Sequence, residues 1–401
     1  ASFIWGPVNE ITIEDEYTVK FHLNEPAPID LIAASSYGSF IFSKDKADEV
    51  DDLHEWFANE NECGSGPYKI KSFTQGEKLV FEKFDDYWGG WDSDKNKFEQ
   101  VVIRNIPEAT TARQEIEGGD VHFVERLPYE EYQAAKEDEN VELKTTPSFQ
   151  NMIGFFNTES APFDDPKVRK AVSYCLPYQD IVDEVYHGDA RQSRGTVPYG
   201  MWGHGEDLMQ FEQDLDKAEE LIAESNYSDT IQDMTIEATF TAGNVLEERT
   251  LLLLQSALDN IDLEMEIRGM QWPQQWSKAQ SEDPEARQDL FVMYWWPDVA
   301  SPYSWFSSLW KSEDVPFFNM AYYNNSQVDS MIDEARRQAG LDRDEAEQTY
   351  IEAQEIILND CPAMFIVDEK YVRTIRTELG GYEDNPAYPH VVWWYNCYLE
   401  E

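Results

Sequence analysis

The chain has 401 residues, 41% of them hydrophobic and 14% aromatic, which excludes global disorder and points to about two domains. Eighty acids against 31 bases leave a formal charge of −49. Nucleic acid and anionic membrane surfaces are thereby excluded as partners, because binding phosphate needs clustered Lys and Arg.

The acids are spread along the whole chain and form no single tail. That is the composition of a halophile's solvated surface; an acidic protein from an ordinary organism is the alternative. Four cysteines, Cys63, Cys175, Cys361 and Cys397, show no CxxC spacing, so no zinc site is expected. Two bridges outside the cell and four buried thiols both fit that count. No apolar run, the four leucines at 251–254 included, approaches the roughly 20 residues a membrane span needs.

In chain order, residues 1–23 read as a turn leading into a strand, like the middle of a domain, with "EYTVKFHL" alternating as a strand should. "CGSGPYKIKSF" is a turn entering a strand and "KLVFEKF" is the next strand. "EATTARQEIEGGDVHFVE" predicts a helix stopped at Gly118-Gly119, then a short strand. "QNMIGFFNT" is a strand. "DDPKVRKAVSYCL" is a helix capped by Asp164 or Asp165. A helix over "DLDKAEELIAESNY" is followed by strand "MTIEATFT", helix "LEERTLLLLQSALDNI" and strands "LEMEIRGM" and "QDLFVMYWW". Helices "NSQVDSMIDEARRQ" and "RDEAEQTYIEAQEIILND" precede a last strand, "PAMFIVDEKYVRTI". Such alternation predicts an α/β protein with mixed, mainly parallel sheets.

Catalytic signatures are absent: there is no HExxH, GxSxG, P-loop or strand-following GxGxxG. The six histidines have no ligand spacing, and no metal or cofactor is expected. Acid pairs are abundant by chance alone, so counting carboxylates does not identify a glycosidase. One stretch stands out. "YWWPDVASPYSWFSSLW", residues 294–310, gathers four tryptophans around a single acid, Asp298. An apolar strand ends here in a proline-stiffened loop, the place where α/β sheets bind ligands. Trp295, Trp296 and Asp298 read as a ligand site, since indoles stack on sugars, peptide planes or cations and a carboxylate among them wants a cationic partner. Trp305 and Trp310, at helical spacing, read as core.

Several segments together resemble one family. "GSGPYKIKSFTQGEKLVFEKFDDYWGG" (64–90), "ARQEIEGGDVHFVERLP" (112–128), "GFFNTESAPFDDPKVRKAVSYCL" (154–176), "TVPYGMWG" (196–203), "YYNNSQVDSMIDEA" (322–335) and "AQEIILNDCPAMFIV" (353–367) occur in the order found in the extracellular solute-binding proteins of family 5. These are the dipeptide, oligopeptide and nickel-type receptors of ABC importers. The resemblance implies a two-lobed periplasmic-binding-protein-like (type II) fold with a hinge of crossing strands near 152–158 and 376–384. Lobe I would comprise 1–155 with 380–401 returning to it, and lobe II 156–379. It implies a receptor, not an enzyme, that holds a peptide between the lobes and hands it to a membrane permease. The protein would work outside the cytoplasm, at the cell surface, lipid-anchored or secreted, and as a monomer.

Asp298 falls at the family's W-x-x-D position, where peptide-binding members take the ligand's α-ammonium. Trp295 and Trp296 would wall the site, and Phe155, Phe156 and Trp276 are placed with them as ligand-contacting residues. Where oligopeptide receptors set arginines against the ligand carboxylate, this chain has Ala279 and Val292. An oligosaccharide ligand, held by tryptophan stacking, is therefore the alternative, and another small solute such as a nickel complex a third. A two-lobed receptor that signals, without delivering to a permease, is a further reading. Family members carry a portion before the segment matching 11–23, so lobe I is expected to be incomplete. Pairing within a lobe, Cys175 with Cys361 and Cys63 with Cys397, is the pattern that leaves the hinge free.

The charge generates a direct prediction. Between about 1 M and 0.1 M salt the Debye length grows from about 3 to about 10 Å, which restores self-repulsion. The thermal midpoint should fall on that dilution; a melt unchanged between the two salts would remove the halophile reading.

Overall fold

The computed structural model describes residues 5–35, 38–59, 61–92 and 95–400. They divide into two compact units. The larger joins the residues up to Gly38 to Pro147–Lys370, and the smaller joins Ser39–Thr146 to the residues from Tyr371 onward. Among the described residues the strands are, in chain order, β1 (Val8–Ile13), β2 (Val19–Leu23), β3 (Tyr68–Thr74), β4 (Lys78–Lys83), β5 (Gln100–Arg104), β6 (Phe123–Val124), β7 (Val141–Phe156), β8 (Ala190–Gln192), β9 (Thr235–Thr241), β10 (Glu264–Met270), β11 (Leu290–Trp295), β12 (Ala363–Arg376), β13 (Leu379–Gly380) and β14 (Tyr398–Leu399). The α-helices of eight residues or more are α1 (Ala109–Gly118), α2 (Pro166–Cys175), α3 (Leu215–Ala223), α4 (Val245–Asp259), α5 (Trp272–Ala279), α6 (Ser326–Ala339) and α7 (Arg343–Asp360).

In the larger unit the sheet order is β10-β9-β11-β7-β12, with β8 also pairing β12. Strands β9 and β10 are parallel, as a helix crossover through α4 requires, and β11 runs parallel to β9. Its other neighbour, β7, is antiparallel. The expectation of mainly parallel sheets is therefore corrected. Pairs β1-β2, β12-β8, β12-β6 and β13-β14 and the meander β3-β4-β5 are all antiparallel. Short turns join β1 to β2 and β3 to β4, and two strands joined so closely can only run antiparallel.

Both faces of the larger unit's sheet are covered, which is why residues 152–156 at the end of β7 and the whole of β11 read as unbroken apolar runs. One core takes Met152, Phe156, Leu290, Val292, Met364 and Ile366 with residues of α2 and α4. The other takes Ile153, Phe155, Phe291, Met293 and Phe365 with Trp305, Trp310 and residues of α6 and α7. The period of two sends alternate residues to opposite cores. At Gly154 a Cβ would meet Met364 Cε at 2.9 Å, so a larger residue there would have to displace the end of that methionine.

These compact units divide at 146/147 and 370/371, within β7 and β12, whereas the lobes the resemblance implies divide at 155/156 and 379/380. Residues 5–38 go with the larger unit: Trp5, Ile29, Leu31 and Ile32 pack on Val299, Asp30 pairs with Arg343 at 2.8 Å, and Glu25 pairs with Arg336 at 3.2 Å. The expected pairing of Cys175 with Cys361 and Cys63 with Cys397 is also corrected, because all four are free thiols. Cys175 and Cys361 are used as core, and the Cys361 thiol lies 3.3 Å from the Ser173 hydroxyl.

The "FDDPKVR" segment builds a clamp. Asp165 caps α2 by accepting from Lys167 N at 2.8 Å, and its other oxygen accepts from Asn226 N at 2.8 Å. One turn on, the buried Arg169 donates to the carbonyls of Cys361 at 2.8 Å, Phe163 at 2.7 Å and Asp360 at 2.7 Å. The guanidinium thus satisfies the C-terminal carbonyls of α7 and sits at the negative end of its dipole. Cys361 completes the helix in the left-handed region, φ 50°. Arg169→Ala would strand those carbonyls in a dry site. A stability loss of about 3–5 kcal/mol is expected from chemical denaturation; a loss below about 1 kcal/mol would show that the clamp carries little.

Candidate functional site

Strand β11 enters the site with a defined register. Leu290 lies opposite Phe156 and Trp295 opposite Asn151. Phe156 N donates to Pro362 O at 3.0 Å and Asn157 N to Asp289 O at 2.9 Å. The loop after β11 is braced from within. Ser304 Oγ donates to Val299 O at 2.8 Å and accepts from Val299 N at 3.1 Å, and Ser301 N donates to Val299 O at 2.6 Å. Trp202 Nε1 adds a bond to Ala300 O at 3.1 Å. Val299 itself is buried against Ile32. These contacts hold Asp298 on a rigid turn between two buried neighbours, Pro297 and Val299.

Asp298 is half-buried, and that desolvation raises its carboxyl pKa above the ordinary 3.8. Trp296 stands beside it, 50% exposed. Trp295 is half-buried and meets Phe318 edge-on, with ring centroids 5.8 Å apart. Its Nε1 is buried without a hydrogen-bond partner among the described residues. The contrast with the core tryptophans is direct: Trp305 Nε1 donates to Asn151 Oδ1 at 3.0 Å and Trp310 Nε1 to Thr196 Oγ1. An orphan indole donor at the end of β11 is the less usual arrangement, since buried Trp N–H groups normally find partners.

Trp276 joins the same aromatic group through Phe318, at 5.8 Å. Phe155 and Phe156, expected beside it, have no exposed surface and sit one in each core. They support the sheet under the loop and offer a ligand nothing to touch. Ala279 and Val292 are also fully buried. Sequence reasoning missed Trp272, Phe317 and Phe318. Trp272 was legible from its i, i+4 spacing to Trp276, whereas "VPFFN" carried no signal of its own. Cavities of about 830 Å³, lined by Phe240, Leu252 and Met265 among others, and about 1080 Å³, lined by Val101, Phe123 and Trp394 among others, lie elsewhere. Among the described residues no cluster of three His, Cys, Asp or Glu is placed to hold a metal, and no helix is long and apolar enough to cross a membrane.

The model of "Bacterial extracellular solute-binding proteins, family 5 Middle" matches residues 1–317, and the chain belongs to that family. It is 27% identical over 387 residues to the probable D,D-dipeptide-binding periplasmic protein DdpA of Escherichia coli strain K12, covering 95% of this chain and 72% of that one. It is 24% identical over 378 residues to heme-binding protein A of Haemophilus influenzae, covering 93% and 66%. Among solved structures it resembles the ABC transporter-associated periplasmic binding protein DppA from Helicobacter pylori in complex with the peptide STSA. There the TM-score is 0.80 at 23% identity, over 99% of this chain and 76% of that one. The fold is thus that of the two-lobed periplasmic binding proteins, in a family of receptors and not of enzymes.

The raised pKa of Asp298 has a consequence for stability. The folded state holds this proton more tightly than the unfolded chain, so stability falls as pH rises from 3.8 through the raised value. Asp298→Asn removes that penalty. The variant should melt at or above the parent temperature at pH 7, and its advantage should shrink as pH is lowered toward 3.8. A clear loss of stability at pH 7 would assign the carboxylate a structural role.

Proposed function

We propose that the protein is the extracytoplasmic receptor of an ABC importer, capturing a peptide by its α-ammonium group at Asp298 and delivering it to a membrane permease. The observation that carries this is the half-buried carboxylate on a braced loop, its charge disfavoured by desolvation and its flanks formed by Trp295 and Trp296. A desolvated anion gains most from a cationic partner that brings its own hydrogen bonds. The dipeptide-binding relative and the peptide-bound structural neighbour support the ligand class. The working state is a monomer at the cell surface. The acidic, evenly charged exterior is that of a protein adapted to high salt, and it offers nucleic acid no footing.

The second reading, an oligosaccharide, is favoured by one observation: apolar Ala279 and Val292 stand where the resemblance would place carboxylate-binding arginines, leaving exposed indoles to dominate. Calorimetric titration of variants separates the two. With a peptide, Asp298→Asn should weaken binding about 30-fold or more, as expected from roughly 2–5 kcal/mol for truncating one partner of a buried charge pair. With a neutral sugar that change should be small, and Trp295→Ala or Trp296→Ala should hurt more. Unchanged binding in all three variants would move the site away from this loop.

A further inference from the structure

The rings around Trp295 extend well beyond the loop. Helix α5 places Trp272 and Trp276 one turn apart on one face, with centroids 5.1 Å apart. Trp276 meets Phe318 at 5.8 Å, and Phe318 meets Trp295 at 5.8 Å. Phe317 packs on Phe318 at 4.5 Å. The result is a continuous aromatic shelf running from Asp298's own loop across the start of α5. Its floor is Phe291, 1% exposed, which lies 6.2 Å from Trp272 and 6.1 Å from Trp276. Its outer members are left open: Trp272 is 41% and Phe317 58% exposed.

Exposed aromatics on a slack loop would mean little, but this turn is held. The Glu313 carboxylate accepts from three successive backbone N–H groups, Phe317 at 2.7 Å, Phe318 at 3.1 Å and Asn319 at 3.1 Å. Gln280, just past the end of α5, donates to Phe317 O at 3.1 Å and ties the turn to the helix. Two phenylalanines are thus presented in one fixed arrangement beside two tryptophans, so a ligand meeting them loses little of its binding energy to ordering the protein.

We propose, resting on the reading of Asp298 as the ammonium site, that this shelf is a subsite for an apolar, preferably aromatic, side chain of the peptide, and that Glu313 is its positioning residue. Charge complementarity supports the choice of occupant. A carboxylate-bearing side chain would approach a protein of net charge −49 against its field and find five rings over which no Lys or Arg stands among the described residues. An apolar side chain pays no such penalty and removes two half-open rings from water.

The test uses the 401-residue chain and synthetic tripeptides: trialanine, the peptides with phenylalanine at the first or second position, and those with glutamate there. At least one phenylalanine peptide should bind about tenfold or more tighter than trialanine, the gain expected from burying one aromatic side chain, and both glutamate peptides should bind worse. Trp272→Ala and Phe317→Ala should erase most of the phenylalanine preference while weakening trialanine far less. Glu313→Gln, which keeps the shape but weakens the acceptor, should lower the preference without changing which peptide is favoured. Thermal melts of each variant control for folding, and both aromatic truncations are at exposed positions. If tripeptides bind through Asp298 but with equal affinity whatever their side chains, or if the two truncations leave the preference intact, the shelf proposal is overturned and the ammonium site stands. If no tripeptide binds, the ammonium site is wrong and the shelf proposal goes with it.

Discussion

The larger unit depends on a buried cation. Arg169 collects the last carbonyls of α7 and a carbonyl from the segment leading into α2, and so decides where β12 begins. Pro362, the residue after the clamp, takes the amide of Phe156. That bond places the end of β7, and β7 in turn sets the register of β11. Each step is a backbone hydrogen bond that must be made somewhere once the segment is buried. The last of them delivers Trp295 to the end of the sheet and Asp298 to the loop beyond it. A positional requirement at the candidate site is thereby met by an arginine that shares no contact with it in the chain of bonds just traced.

Charge is used in two different ways in this molecule. Most of the acids lie in water, where individual pairs such as Lys44–Asp48 or Lys217–Glu220 contribute little. A few are taken inside and there do specific work. Asp384 lies in a near-dry pair with Arg373, with Oδ2 2.9 Å from Nε and Oδ1 3.0 Å from Nη2, inside the smaller unit. Asp368 accepts from Ser193 and from the amide of Tyr199, and burial raises its pKa to about 6. Asp298 belongs to this second group by its desolvation but differs in lying on a loop beside an exposed indole. That difference is what the proposed ammonium site rests on.

The tryptophans divide along the same line. Trp305 and Trp310 are fully buried, their N–H groups answered by Asn151 and Thr196. Trp295 has an unanswered N–H, and Trp272 and Trp296 are open to water. Satisfied and dry describes a core ring; the unsatisfied or half-open rings are the ones the proposed site draws on.

Much of this was legible in the sequence, for local reasons. The periods of two and 3.6 located β4, β9, β10, β11, α4, α6 and α7, because side-chain alternation is a property of the segment itself. Asp165 started one helix and Gly119 ended another, as capping chemistry requires. The order of motifs named the family, and the loop at 297–302 announced itself by its prolines. Other features belonged to the tertiary structure alone. Phe155 and Phe156 looked like site residues from their place on the crossing strand. Only the helices on both faces of the sheet bury them, and no local pattern says how many faces are covered. The free state of the cysteines depended on where separate segments come to rest. So did the assignment of residues 5–38 to the larger unit, through Ile32 on Val299. The aromatic shelf brings residues 272, 276, 295, 317 and 318 together through Glu313's grip on three amides, a contact between chain positions that only folding makes neighbours.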